Sequence, residues 1–181
     1  MIYVIIVLIL LVVYFLITYN KLVKLNNQLK EAFSTMDVFL KKRWDLIPSI
    51  VETVKGYAKH EMDTLEGIVE ARNNYNNMTT EEKIDKNNSI NDNIPKLFAL
   101  AEAYPKLKAN ENFMDLSKQL KAVEDDIANS RKYYNGAVKV FNNKVEMFPS
   151  NIVASLLGYK SQKMFSIDSS ERENVKIDLD K

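Results

Sequence analysis

The chain has 181 residues, 46% of them hydrophobic, with 25 Lys and Arg against 24 Asp and Glu. That is enough apolar material for one core of ordinary size, and the balanced, interspersed charges offer no basic field and argue against nucleic acid as a partner. With no cysteine, disulfides, thiolate nucleophiles and cysteine-type zinc sites are excluded together. Only four glycines and four prolines interrupt a chain rich in Leu, Lys, Glu, Ala and Asn, which is an all-α composition.

The first nineteen residues, MIYVIIVLILLVVYFLITY, carry no charged side chain and include fourteen of Ile, Leu, Val or Phe. At about 0.3 to 0.6 kcal/mol each, these favour the bilayer by about 4 to 8 kcal/mol. At about 1.5 Å per residue the run is roughly 28 Å long, close to a hydrocarbon core. A cleaved signal peptide needs a basic region before the run and small residues at its end, and neither Met1-Ile2-Tyr3 nor Ile17-Thr18-Tyr19-Asn20 supplies them. The expectation is an uncleaved anchor over residues 1–20, with the lipid bilayer as partner of residues 1–19. Lys21, Lys24 and Lys30 follow the span and no basic side chain precedes it, which predicts a cytoplasmic C-terminal side.

From Leu22 an amphipathic period begins without a linker. Leu22, Leu25, Leu29, Phe33, Met36, Leu40, Trp44 and Ile47 step by three and four, and the stripe resumes through Val51, Val54, Ala58, Met62, Leu65 and Val69. Pro48 interrupts it. Proline lacks an N–H and disfavours helix at the preceding residue, so a break or strong kink is expected over Leu46–Pro48. In that reading the KKRWD run (41–45) closes one helix and Pro48 opens the next.

The stretch NNYNN (73–77) marks a turn, and Thr79 with Glu82 has capping-box spacing for a new start. After a segment over Ile84–Leu107, the strongest periodicity in the chain runs through Phe113, Leu116, Leu120, Val123, Ile127, Arg131, Tyr134, Val138, Phe141, Val145 and Phe148 up to Pro149. Asn151–Gly158 reads as a short helix capped by Gly158, and Ser166–Lys181 as a polar tail. The expected organisation is an anchor over 1–20, a helical body over 21–148, and a short helix with a polar tail over 149–181.

Three stretches, RWDLIPSIVETVKGYAKHE, AYPKLKANENF and YYNGAVKVFNNKVEMFPSNIVASLLGYK, resemble the sequence blocks of LemA family proteins. They fall in order across residues 20–160, and Tyr19-Asn20 matches the "YN" that follows the family's membrane span. The resemblance implies an antiparallel four-helix bundle on a single N-terminal anchor in a bacterial cell membrane. It implies no reaction and no cofactor. Trp44 departs from the pattern, which has a smaller residue there, as does the Asn-rich region from Asn87 to Asn93.

Few residues carry chemistry. His60 is the only histidine, so paired Glu-x-x-His di-metal sites cannot be built, and HEMDT places Thr64 where a second zinc ligand would stand. There is no Gly-rich phosphate loop and no serine in a G-x-S-x-G setting. No catalytic, cofactor or metal residues are assigned. The candidate polar core or docking site is Asp37, Arg43, Asp45 and Arg131. Asp37 to Lys41 and Lys41 to Asp45 are i,i+4 pairs worth a few tenths of a kcal/mol when exposed. Arg131 sits on the apolar stripe between Ile127 and Tyr134, where a guanidinium calls for a carboxylate, and Asp37 or Asp45 is the expected partner. The leading functional expectation is a membrane-tethered interaction or scaffold module, partnered by another protein or by itself. The alternative is a bundle that senses or binds a small ligand or peptide.

Overall fold

A computed structural model describes residues 1–58, 78–91 and 93–165, and no strand occurs among them. The elements are α1 (Ile2–Lys55), α2 (Thr80–Asn91), α3 (Asn93–Ala103), α4 (Pro105–Lys108), α5 (Glu111–Glu146) and α6 (Ser150–Leu156). The NNYNN turn, the His60-Glu61 pair, the stripe beyond Ala58 and the tail from Ser166 lie outside the described residues.

Helix α1 spans 54 residues, about 80 Å at about 1.5 Å per residue. Its two parts bury different things. Residues 1–17 are exposed on every side, and this stretch has the length and composition to cross a membrane. From Leu22 onward one stripe turns inward: Leu22, Leu29, Ala32, Met36, Leu40, Trp44, Ile47, Ile50, Val51 and Val54 are buried.

The helix does not break at Pro48, contrary to the expectation from sequence. A proline inside a helix costs about 3 kcal/mol, because its missing N–H leaves the fourth preceding carbonyl without a donor. Ile47, Ile50, Val51 and Val54 are all buried on the same core as Trp44 and Leu40. At about 1.5 to 3 kcal/mol per buried side chain, keeping that stripe in register outweighs the proline. Only the part of α1 after the apolar stretch needs cover, and α5, at 36 residues, is long enough to supply it.

Contacts between α1 and α5 dominate the body and fix its register. Tyr57 meets Asn110, Arg43 meets Glu124 and Phe33 meets Tyr134. Ten residues back along α1 is ten residues forward along α5, so the two helices run in opposite senses. The capping box at α2 forms as expected. The Glu82 N–H donates to Thr79 Oγ1 at 3.3 Å, while the Thr79 N–H and hydroxyl donate to Glu82 Oε2 at 2.7 and 2.9 Å, and the two bonds to the carboxylate hold the Glu82 carboxyl below its ordinary range. Asn110 caps α5 by accepting from the Phe113 N–H at 3.0 Å.

α6 ends in a Schellman arrangement. Tyr159 N–H donates to the Ala154 carbonyl, Gly158 N–H donates to that of Ser155, and Gly158 takes φ 73°, a conformation open to glycine without a Cβ penalty. The chain then turns back along α5. Asn142 and Asn135 each clamp one backbone residue through a pair of bonds, to Gln162 at 2.8 and 2.9 Å and to Phe165 at 2.9 Å both ways. Phe165 is buried beside Tyr134, their ring centroids 5.6 Å apart.

Candidate functional site

Among the described residues, the fully buried arginine is Arg43. It lies three residues after Leu40 and four before Ile47, on the same inward stripe, and is fully excluded from solvent. Its Nη1 donates to both oxygens of Glu124 on α5, at 3.2 Å each, and its Nη2 donates to Oδ1 of Asn87 on α2. A guanidinium has only donors, so the acceptor side of Asn87 must face it. Burying such a charge costs several kcal/mol unless it is paired and hydrogen-bonded, and here three helices contribute to the pairing. The expectation that KKRWD closes a helix is therefore corrected: the helix continues, and Arg43 enters the core.

The other candidates are distributed differently from the sequence expectation. Asp37 accepts from Lys83 of α2 at 2.9 and 3.0 Å. Asp45 pairs with Lys41 at 3.0 Å on the exposed face, as the i,i+4 spacing suggests. Neither acid serves Arg131, which corrects the proposed Arg131 pairing. Arg131 lies at the edge of the stripe, partly exposed, with its guanidinium carbon 5.7 Å from the centre of the Phe165 ring. That is a cation–π distance, and the aromatic face takes the place of a carboxylate. Arg131 Nε is buried without a hydrogen-bond partner.

Arg131 lines a cleft of ≈ 320 Å³ with Ile94, Pro95, Glu124, Asp125, Ile127 and Ala128. Arg43 and Arg131 are thus linked through Glu124, which is bonded to the first and shares the cleft wall with the second. The cleft presents one cation and two carboxylates, one of them already engaged by Arg43. Such a wall suits hydrogen-bonding recognition of a polar group of mixed charge. Among the described residues no group of three or more His, Asp or Glu side chains is placed to hold a metal ion.

Glu124, Asn87, Lys83 and Phe165 were not legible as members of this site. Glu124 directly follows the stripe residue Val123, and Asn87 stands in a segment whose polar composition reads as surface. The available signal was the register of Arg43 itself, whose spacing from Leu40 and Ile47 is as good as that of Trp44.

Fold and site together define an all-helical protein with an apolar, exposed N-terminal span and a body centred on a paired arginine. The profile of the LemA family matches residues 32–179, and the chain belongs to that family. It is 26% identical to Protein LemA of Metamycoplasma hominis over 158 residues, covering 86% of this chain and 72% of that protein. It is also 30% identical over 70 residues to the magnetosome proteins MamQ 1 and MamQ 2 of Paramagnetospirillum magneticum, covering 39% of this chain and 26% of each of theirs.

Proposed function

We propose that this protein is a single-pass, membrane-anchored bundle of the LemA type that acts as a non-catalytic interaction or scaffold module. In this reading residues 1–19 cross a bacterial cell membrane, and the body is an antiparallel four-helix bundle on the cytoplasmic side. The observation that carries it is the joint between anchor and body: the unbroken run of exposed apolar residues ends at Ile17, buried Thr18 and Leu22 follow, and α1 runs through both without interruption. A rigid joint holds the body at a fixed height above the lipid, which suits a docking platform. Support for a non-catalytic role is that Arg43, Asp37 and Asp45 are each engaged by a neighbouring side chain rather than poised as acid, base or nucleophile.

Photocrosslinking of the full chain in native membranes tests the reading. The expected result is a discrete protein adduct, with another protein or with a second copy; recovery of lipid adducts alone overturns it. Orientation is read from a cysteine at Lys118, in a chain that has no other. It should resist an impermeant thiol reagent in intact cells.

A second reading, recognition of a small ligand or peptide, is favoured by one observation: Arg131 Nε has no hydrogen-bond partner and its side chain lines the cleft. A series of amino acids and short peptides assayed by thermal shift, with Arg131→Gln as control, tests it. A shift that persists in the variant removes this cleft as the ligand site.

A further inference from the structure

We propose that α6 and the residues leading into it form a second membrane contact, an interfacial foot whose apolar face rests in the headgroup–acyl boundary of the bilayer. It rests on the anchor reading above and goes beyond it, because it assigns lipid contact to a segment far from the span in sequence.

The first observation is the two-sidedness of a very short helix. Ser150, Val153 and Ala154 are buried, and Val153 and Ala154 close on Leu22 of α1 in a small cluster of their own. At about 100° per residue, Ile152 and Leu156 point the opposite way. They are 55% and 74% exposed, and Met147 and Phe148 just before them are 61% and 79% exposed. Four large apolar side chains on one short stretch are a patch, and isolated exposure does not explain it.

The second observation is where the patch sits. The α1–α5 register that joins Arg43 to Glu124 and Phe33 to Tyr134 places the segment just after α5 opposite Thr18 and Tyr19. That is the level at which the exposed apolar surface of residues 1–17 ends. The patch is therefore continuous in height with the span, and a bilayer around the span meets Phe148 and Ile152 at its surface.

Charge agrees with this placement. Lys21, Lys24 and Lys160 are exposed near this end and Lys144 is partly so, against Glu146 as the one acid between Asn142 and Lys163. A basic rim around an apolar foot matches anionic headgroups. Tyr19, 41% exposed, adds an aromatic at the same level, where such rings favour the interface.

Because the chain has no cysteine, single cysteines carrying a nitroxide label can be placed at Ile9, Phe148, Ile152 and Met114. All four positions are exposed, so the label displaces no core contact. The full chain is reconstituted in vesicles of mixed phosphatidylcholine and phosphatidylglycerol, and each label's collisions with oxygen and with a water-soluble nickel chelate are compared. Labels at Ile9, Phe148 and Ile152 should collide more with oxygen, and the label at Met114, towards the far end of α5, more with nickel. If Phe148 and Ile152 behave like Met114 while Ile9 remains in lipid, the foot is overturned and the anchor stands. If Ile9 also meets nickel, the anchor reading fails and the foot with it. Spin–spin broadening at Phe148 that vanishes on dilution with unlabelled chain assigns the patch to a second copy, which also overturns the proposal.

Discussion

At the level of single residues, Arg43 and Arg131 are held by different groups, the first by a carboxylate and an amide and the second by an aromatic ring. Arg43 is buried with Glu124 and Asn87, so Glu124→Ala removes the carboxylate that balances a buried guanidinium and should cost about 3 to 5 kcal/mol in chemical denaturation followed by circular dichroism. The double variant Arg43→Met with Glu124→Leu should recover much of that, because two apolar groups of similar volume leave no charge behind. Arg131→Leu should cost under about 1 kcal/mol, since only a partly exposed cation–π contact is lost. A larger loss at Arg131 than at Glu124 would invert the assignment. Sequence pattern placed Arg131 on an apolar stripe and Arg43 in a basic run closing a helix, the reverse of their burial, because burial depends on which helix covers which edge. Tyr134 supplies a pH test. Burial, and secondarily the negative charge of Glu81, push its hydroxyl above the ordinary 10.0. The folded state therefore holds its proton more tightly than the unfolded chain. Stability from this group should be complete below pH 10.0 and fall as pH rises through the raised value, a loss that Tyr134→Phe should diminish.

Helices as units show how propensity and packing divide the control of structure. The capping box at Thr79 and Glu82 and the reversal at Gly158 follow from local chemistry, so the sequence announces them. Pro48 does not follow local chemistry, because the decision lies with the buried residues on either side of it, and their value depends on a partner helix about seventy residues away. The consequence is measurable. Pro48→Ala restores an N–H inside an intact helix and should stabilise the full chain in detergent micelles, by up to about 3 kcal/mol. Destabilisation would mean that the proline ring's own packing matters more than the missing bond. The docking of Tyr159–Phe165 along α5 was equally hidden. Asn135 and Asn142 lie seven apart on one face of a helix they do not favour, but only the folded backbone of residues 162 and 165 reveals what they hold.

For the molecule as a whole, the question is whether the span and the body are one folding unit or two. They share a continuous helix, yet the described core lies almost wholly beyond the span: residues 1–17 are exposed, and the buried set begins at Thr18 and Leu22. The helix backbone transmits orientation, whereas the stability of the body comes from the stripe facing α5 and from the Arg43 pairing. Deleting Met1–Asn20 should therefore leave a chain whose melting temperature is close to that of the full protein in micelles. Its helical signal should fall only by the removed part of α1. Thr18 is itself buried, so its loss should bring a small decrease in stability, about 1 kcal/mol or less. The shortened chain also keeps Phe148, Ile152 and Leu156 exposed, and it should still sediment weakly with anionic vesicles while remaining monodisperse in their absence. Aggregation without vesicles, or a melt that loses cooperativity, would show that the apolar stretch of α1 is part of the folding unit.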